Sequence, residues 1–304
     1  MDIKLGIRRA FMLSFVGAAF LVSSCDEDIL GGLSDALSEG DTAAALKEAL
    51  KVGAQTAATN LGQKDGYFGD AMVKIGMPKE VATAAELLQT EAGKTFLQAA
   101  GADNMNPDNI VELMNRAAET AAPESAEIFG NAITSMTLAD GEAILFGNYT
   151  SQSASEEGNV TAKFGSDQAA TSYLYDKTYS GLQATFGKVI TGTFDQVAVG
   201  GKTVNDAWKG FTSVYNQIAD FKADPKGQIA MIGLKAGLTA AGKTALYDKV
   251  ASIQHVNTDL GEYVTGKALD GLFTKVAEKE TGIRTNAAER TSELLKKVFG
   301  RLDK

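Results

Sequence analysis

From Asp41 onward, apolar residues return at spacings of three and four, the period of an α-helix that buries one face. That period restricts the chain to helix-on-helix packing, because no segment alternates apolar and polar residues over a strand's length. The first stripe is Leu46, Ala49, Leu50, Gly53, Ala57 and Leu61, with Asp41 expected as its N-cap. A turn at Gly62–Gly69 and an extended stretch at Val73–Met77 follow, and Pro78 suits the first turn of a helix carrying Val81, Ala84, Ala85 and Leu88. Asn106-Pro107-Asp108 opens a helix whose face is Ile110, Leu113, Met114, Ala117, Ala118 and Ala121. Pro123 must interrupt it, and Ile128, Phe129, Ala132, Ile133 and Met136 make the next stripe. Thr137 and Asp140 have capping-box spacing, which makes Asp140 a cap rather than a catalytic acid.

Further helices are marked by Tyr173, Leu174 and Leu182, then by Trp208, Phe211 and Val214. The last two carry Leu260, Val264, Ala268, Leu272 and Val276, then Leu294, Leu295, Val298 and Phe299. Asn286 with Glu289 is the expected cap of the final helix and Gly300 its terminator. Two segments lack a clear period. Residues 147–166 are polar and suit a loop or small hairpin, and 222–256 are Gly-rich and weakly patterned. Both read as surface insertions in an all-α, bundle-like domain spanning residues 33–304.

The N-terminus has a different logic. Lys4, Arg8 and Arg9 precede the apolar run Ala10–Val22, which is shorter than the roughly 20 residues a membrane span needs. It leads into Val22-Ser23-Ser24-Cys25, which resembles the bacterial lipobox: small residues let a peptidase reach the backbone, and the thiol accepts the lipid. Residues 1–24 are therefore expected to be a lipoprotein signal peptide and Cys25 the lipidated first residue of the mature chain. The covalent lipid would hold the protein at a membrane of the cell envelope, with 25–32 as an acidic tether. Asp26-Glu27-Asp28 resembles a surface-export signal of some Gram-negative bacteria. In others an Asp after the Cys favours inner-membrane retention, and the sequence leaves that choice open.

With those elements in place, several blocks look familiar. They are Ala45–Leu50 with Val52-Gly53, Leu61-Gly62, and Asp65-Gly66-Tyr67-Phe68. Met114–Glu119 with Ala122-Pro123, Tyr263-Val264, Lys267–Phe273 and Arg290–Gly300 complete them. Together they resemble the bacterial family called Domain of Unknown Function 4197, over about Leu33 to Gly300, with 147–166 and 222–256 resembling insertions in it. The resemblance implies a helical, exported protein and supplies no catalytic residue.

Composition removes whole classes of chemistry. One Cys excludes an internal disulfide framework and a Cys-based zinc site, and one His excludes a His-rich metal centre. A net charge of −9 opposes nucleic-acid binding, which needs a basic face. Gly237–Thr244 matches the phosphate-loop pattern G-x-x-x-x-G-K-[ST], and Ile229–Leu234 could be its strand. No βαβ succession or second metal ligand accompanies it, so the match reads as accidental, a nucleotide is not expected, and neither is any other cofactor. His255 sits beside no nucleophile and reads as a surface residue. Asn148-Tyr-Thr150, Asn159-Val-Thr161 and Asp41-Thr42-Ala43 match glycosylation patterns too short to carry weight.

What remains is a candidate polar cluster. Asn115, Arg116 and Glu119 share one helix flank, and Tyr263, Lys267 and Asp270 form a similar flank on the penultimate helix. If the flanks faced each other they would line a pocket. Consumed in pairs, they would be structural. Two functions stay open: a non-catalytic binding or scaffold lipoprotein for an envelope protein, glycan or lipid, or an envelope hydrolase acting on glycan through Glu119 or Asp270.

Overall fold

The computed structural model describes residues 39–79, 81, 107–149, 154–155, 158–159, 164–196, 198–199, 202–300 and 303. The signal segment, Cys25, the acidic tether, Asn106 and the Ala84–Leu88 stripe lie outside the described residues. In chain order the helices are α1 (Glu39–Leu61), α2 (Pro107–Ala121), α3 (Ser125–Ser135), α4 (Leu138–Leu145), α5 (Ala169–Gln196) and α6 (Val204–Ala223). They continue as α7 (Pro225–Ala240), α8 (Thr244–Ala251), α9 (Leu260–Thr285) and α10 (Glu293–Phe299). Two antiparallel ladders of two-residue strands interrupt them, β1 (Ala154–Ser155) with β2 (Gly158–Asn159) and β3 (Ala198–Val199) with β4 (Lys202–Thr203). The class is all-α, and residues 147–166 contain the small hairpin that their polarity allows.

The two longest helices, α5 and α9, pack along each other and form the spine. Tyr173, Leu174, Leu182, Phe186, Ile190 and Phe194 of α5 meet Val264, Leu269, Leu272, Phe273 and Val276 of α9 in one continuous core. Each such side chain contributes about 1.5–3 kcal/mol when fully buried. The helix α1 lies against α9, α3, α4 and α10, while α2 and α3 lie on α5. Residues Leu37–Lys304 make one compact unit.

Local chemistry places most boundaries. Thr137 and Asp140 form the expected capping box at α4. Pro123 ends α2 in a 3-10 turn, Ala122–Glu124, from which α3 departs. Other boundaries differ from expectation. Asp41 lies inside α1, which extends to Glu39. Asn286 caps only the 3-10 turn Ala287–Glu289, and Ser292 caps α10 by accepting the Leu295 N–H at 3.2 Å. Gly300 ends α10 with φ −60°, a right-handed conformation that needs no glycine.

The largest correction concerns residues 222–256. Ile229–Leu234 is helix, not strand, because Asp224 accepts the Lys226 N–H as N-cap and Pro225 sits at the first helical position. The segment is a helical hairpin, α7 and α8, packed chiefly against α6. Gly227 permits the tight α6–α7 turn: a Cβ there would overlap the Phe221 carbonyl oxygen. The hairpin's base is pinned by Lys222, which donates to the Ala251 and Ile253 carbonyls at 2.5 and 2.6 Å, burial pushing its ammonium pKa down. Asn216 binds both the N–H and the carbonyl of Val256 at 2.9 Å.

Candidate functional site

Four of the six nominated polar residues converge on one object, the irregular segment 62–77 that follows α1. Turns within it pair part of its backbone, and side chains from the packed helices take up N–H and carbonyl groups that the turns leave over. Asn115 of α2 is fully buried; its Oδ1 accepts the Ile75 N–H at 2.9 Å, and its Nδ2 donates to the Ile75 and Val111 carbonyls at 2.8 and 2.7 Å. One amide thus pairs with both backbone groups of Ile75, as a neighbouring strand would.

One helical turn later, Glu119 is also buried. Its Oε1 accepts the Tyr67 and Phe68 N–H groups at 3.2 and 3.1 Å, and its Oε2 accepts from Arg116 Nη1 at 2.8 Å. Arg116 goes on to Asp65 at 2.8 Å and Glu112 at 3.3 Å, and its guanidinium stacks over the Phe68 ring. Hydrogen bonds to Glu119 first, then Asp65, hold the guanidinium still more firmly protonated than usual. Asp65 itself has φ +69°, a left-handed conformation that Asp tolerates better than most side chains.

The penultimate-helix flank grips the same segment from the other side. The Tyr263 hydroxyl donates to the Gly76 carbonyl at 3.0 Å, next to the residue Asn115 holds. Lys267 and Asp270 do not join it; they make an exposed pair at 3.5 Å. Between the flanks stands Tyr67, wholly buried, its hydroxyl donating to the Ala268 carbonyl at 2.8 Å. Burial, and then the nearby Glu119 carboxylate, push its pKa far above the usual phenol range. Gly271 makes room for it: a Cβ there would lie 2.8 Å from the Tyr67 ring. The two flanks therefore clamp a loop rather than line a pocket.

An open space lies beside the clamp and is lined by none of the six nominated residues. It is a polar groove of about 180 Å³ between α1, the loop and α9, lined by residues that include Asn60, Gly66, Asp70, Lys275, Glu278 and Lys279. Lys275 pairs with Asp70 at 2.7 Å and with Glu278 at 2.9 Å. The hydrogen bond from Lys275, then the Met72 N–H, holds the Asp70 carboxyl below its ordinary range. Burial opposes the charge on Lys275, but its two carboxylate partners outweigh that and raise it. The groove presents a neutralised set of charges, able to hydrogen-bond a small polar group and offering no activated nucleophile. Sequence reasoning missed it because Asp70 and Lys275 lie some two hundred positions apart. Only the i, i+3, i+4 set on α9 was visible in principle.

A second polar network, also unforeseen, sits in the core. Glu280 caps α5, accepting the Ala170 and Thr171 N–H groups at 2.9 and 2.7 Å. Arg284 binds Glu280 and donates to the Ile144 and Leu145 carbonyls at the end of α4. An acid at one helix N-terminus and a base at another's C-terminus complement both dipoles. Its role is to join helices. Among the described residues no group of three or more His, Cys, Asp or Glu could hold a metal ion. The phosphate-loop match takes no cradling shape, since Gly237–Ala240 finish α7 with helical hydrogen bonds. His255 is exposed and meets Asp220 at 2.8 Å.

No curated protein and no solved structure matches the chain. A family model does, over residues 36–156 and 158–300, so the match runs through both weakly patterned segments. The chain belongs to the family described as Protein of unknown function (DUF4197).

Proposed function

We propose that the protein is a non-catalytic binding or scaffold lipoprotein of the cell envelope, tethered through lipid on Cys25. The observation that carries this reading is the use made of the polar flanks. Glu119 is buried, accepts three hydrogen bonds across its two oxygens and faces a loop backbone, so it is not open to a reacting group. Asp270 pairs with Lys267 on the surface and lies outside the groove. An acid catalyst acting on glycan needs a carboxyl open to substrate in a cleft, and neither residue meets that requirement. The tether supports a binding role in another way, because confinement near a membrane raises the effective concentration of any partner there. The lipobox-like Val22–Cys25 supports the tether. No helix among the described residues is long and apolar enough to cross a membrane.

Intact mass of protein extracted from membranes, with fatty-acid labelling, tests the anchor: the mass expected is that of residues 25–304 plus lipid. Crosslinking in cells tests the binding role by identifying an envelope protein, glycan or lipid held by the tagged chain. Turnover of envelope glycan by purified protein, lost on Glu119→Gln or Asp270→Asn, would replace the scaffold reading with the hydrolase.

A further inference from the structure

The hairpin α7–α8 inverts the usual arrangement of a surface helix. Gly227 is buried and Met231 and Leu238 are half-buried on the side facing the body, while Leu234 between them is 38% exposed. The opposite side carries Ile229, Ile232, Gly233, Ala236 and Ala240, again one helical stripe. Ile229 and Ile232 are each 71% exposed, and Phe221 at the hairpin's base is 53% exposed. So α7 is apolar on two faces, one half-buried against the body and the other exposed.

Charge singles out the same element. Residues Pro225–Ala240 contain no acid in a chain of net charge −9, and α7, α8 and their connection hold four lysines, Lys226, Lys235, Lys243 and Lys249, against the single Asp248. Lys226 and Lys235 are exposed on opposite flanks of the stripe, Lys235 with its ammonium 5.5 Å from the centre of the Tyr247 ring of α8, and long side chains so placed can reach phosphates beside the apolar residues. An apolar stripe edged by lysines is the composition of a helix that lies in a bilayer interface. At 16 residues α7 is about 24 Å long, too short to span a hydrocarbon core of about 30 Å. A second copy docked through the same hairpin would bring like charges together, whereas an anionic lipid surface complements them.

We propose that the α7–α8 hairpin docks on the surface of an anionic phospholipid bilayer, with Ile229 and Ile232 entering the acyl boundary and Lys226 and Lys235 meeting phosphates. Its nearness to a bilayer rests on the tether reading above, while the contact itself rests on the hairpin. The 13 residues between Cys25 and Glu39 reach at most about 45 Å, enough for the body to turn a chosen face to the membrane.

The full chain, purified from membranes and reconstituted into phosphatidylcholine–phosphatidylglycerol vesicles, tests this with a dye attached through Ala236→Cys or, as control, through Lys188→Cys on α5. Nitroxide-bearing lipid quenches the dye at position 236 and spares that at 188. Ile229→Ser with Ile232→Ser abolishes the quenching, and Lys226→Gln with Lys235→Gln weakens it by roughly five-fold for each lysine removed. Vesicles of phosphatidylcholine alone give the weaker signal too. Equal quenching at both positions, or quenching indifferent to the serine and glutamine variants, would overturn the proposal. So would crosslinking of two copies through position 236 without vesicles. The anchor is read separately by intact mass: a chain without lipid that still shows quenching at 236 keeps this inference and removes the tether.

Discussion

The segment 62–77 and the hairpin α7–α8 treat polar and apolar groups in opposite ways. In the first, Asn115, Glu119 and Tyr67 are buried and spend their hydrogen bonds on backbone atoms. In the second, Ile229 and Ile232 stand in solvent with nothing from the described chain covering them. Burying a polar group is costly unless it is paired, so complete pairing marks a group whose role is to hold the fold. Exposing a large apolar group is tolerated but gains nothing for folding, so a concentrated stripe marks a surface meant to be covered. Function in this molecule is better sought at the exposed isoleucines than at the buried acids.

Cutting the clamp breaks that contrast most severely. Glu119→Ala removes the acceptor of two loop N–H groups and leaves Arg116 without its best-buried partner. The expected cost is about 2–5 kcal/mol, mostly from two loop N–H groups left without an acceptor, since Arg116 keeps Asp65 and Glu112. Urea unfolding measures it directly. A loss below about 1 kcal/mol would mean that the loop does not depend on the clamp. Asn115→Ala should cost somewhat less, about 2–3 kcal/mol, because the group removed is neutral while the Ile75 N–H and carbonyl are still left buried. Amide exchange at Ile75 should accelerate in that variant more than exchange in α5.

The stripes of α2, α5 and α9 were legible because each buries one face and so prints a single helical period. The capping box at Thr137 was legible because both partners lie within four residues. The clamp was not, since Asn115 holds both backbone groups of Ile75, 40 residues away, and side-chain spacing says nothing about them. Asn115, Arg116, Glu119, Tyr263, Lys267 and Asp270 stand out in the sequence as polar flanks beside apolar stripes, but spacing cannot say that a loop lies between the flanks. The α7 helix misled for a related reason. Apolar side chains on two faces blur the 3.6-residue period, and Ile229–Leu234 then looks like a short buried strand. The cap of α10 was misplaced by six residues because Asn286 does cap a turn, only a 3-10 one.

A smaller effect is expected at the groove. Asp70 is partly exposed and its pair with Lys275 is a surface interaction, so Asp70→Asn should cost under about 1 kcal/mol at neutral pH. The sign with pH is fixed. The folded-state pKa of Asp70 is depressed, so its contribution is fully present above the unfolded carboxyl value of about 3.9 and fades as pH falls through the folded value. The natural chain should therefore lose stability faster than the asparagine variant as pH drops below about 4, and the two unfolding midpoints should converge in acid. Midpoints that stay parallel would show that the pair contributes nothing to folding.

The smallest expected effect is the most telling for the hairpin. Ile229→Ser and Ile232→Ser each remove an apolar side chain that water already surrounds, so the folded state loses little burial. Surface changes of this kind stay within about 0.5 kcal/mol. Helix propensity shifts only slightly, since Ile and Ser rank close together. The doubly substituted protein should unfold at the same urea concentration, with the same slope, as the natural chain. Equal stability together with lost contact to vesicles would separate the two regions cleanly, one serving the fold and the other the membrane. A loss of 2 kcal/mol or more, the scale of an isoleucine leaving a packed core, would instead mean that Ile229 and Ile232 are covered in the folded protein. The stripe would then belong to the core, and the contrast with the clamp would disappear.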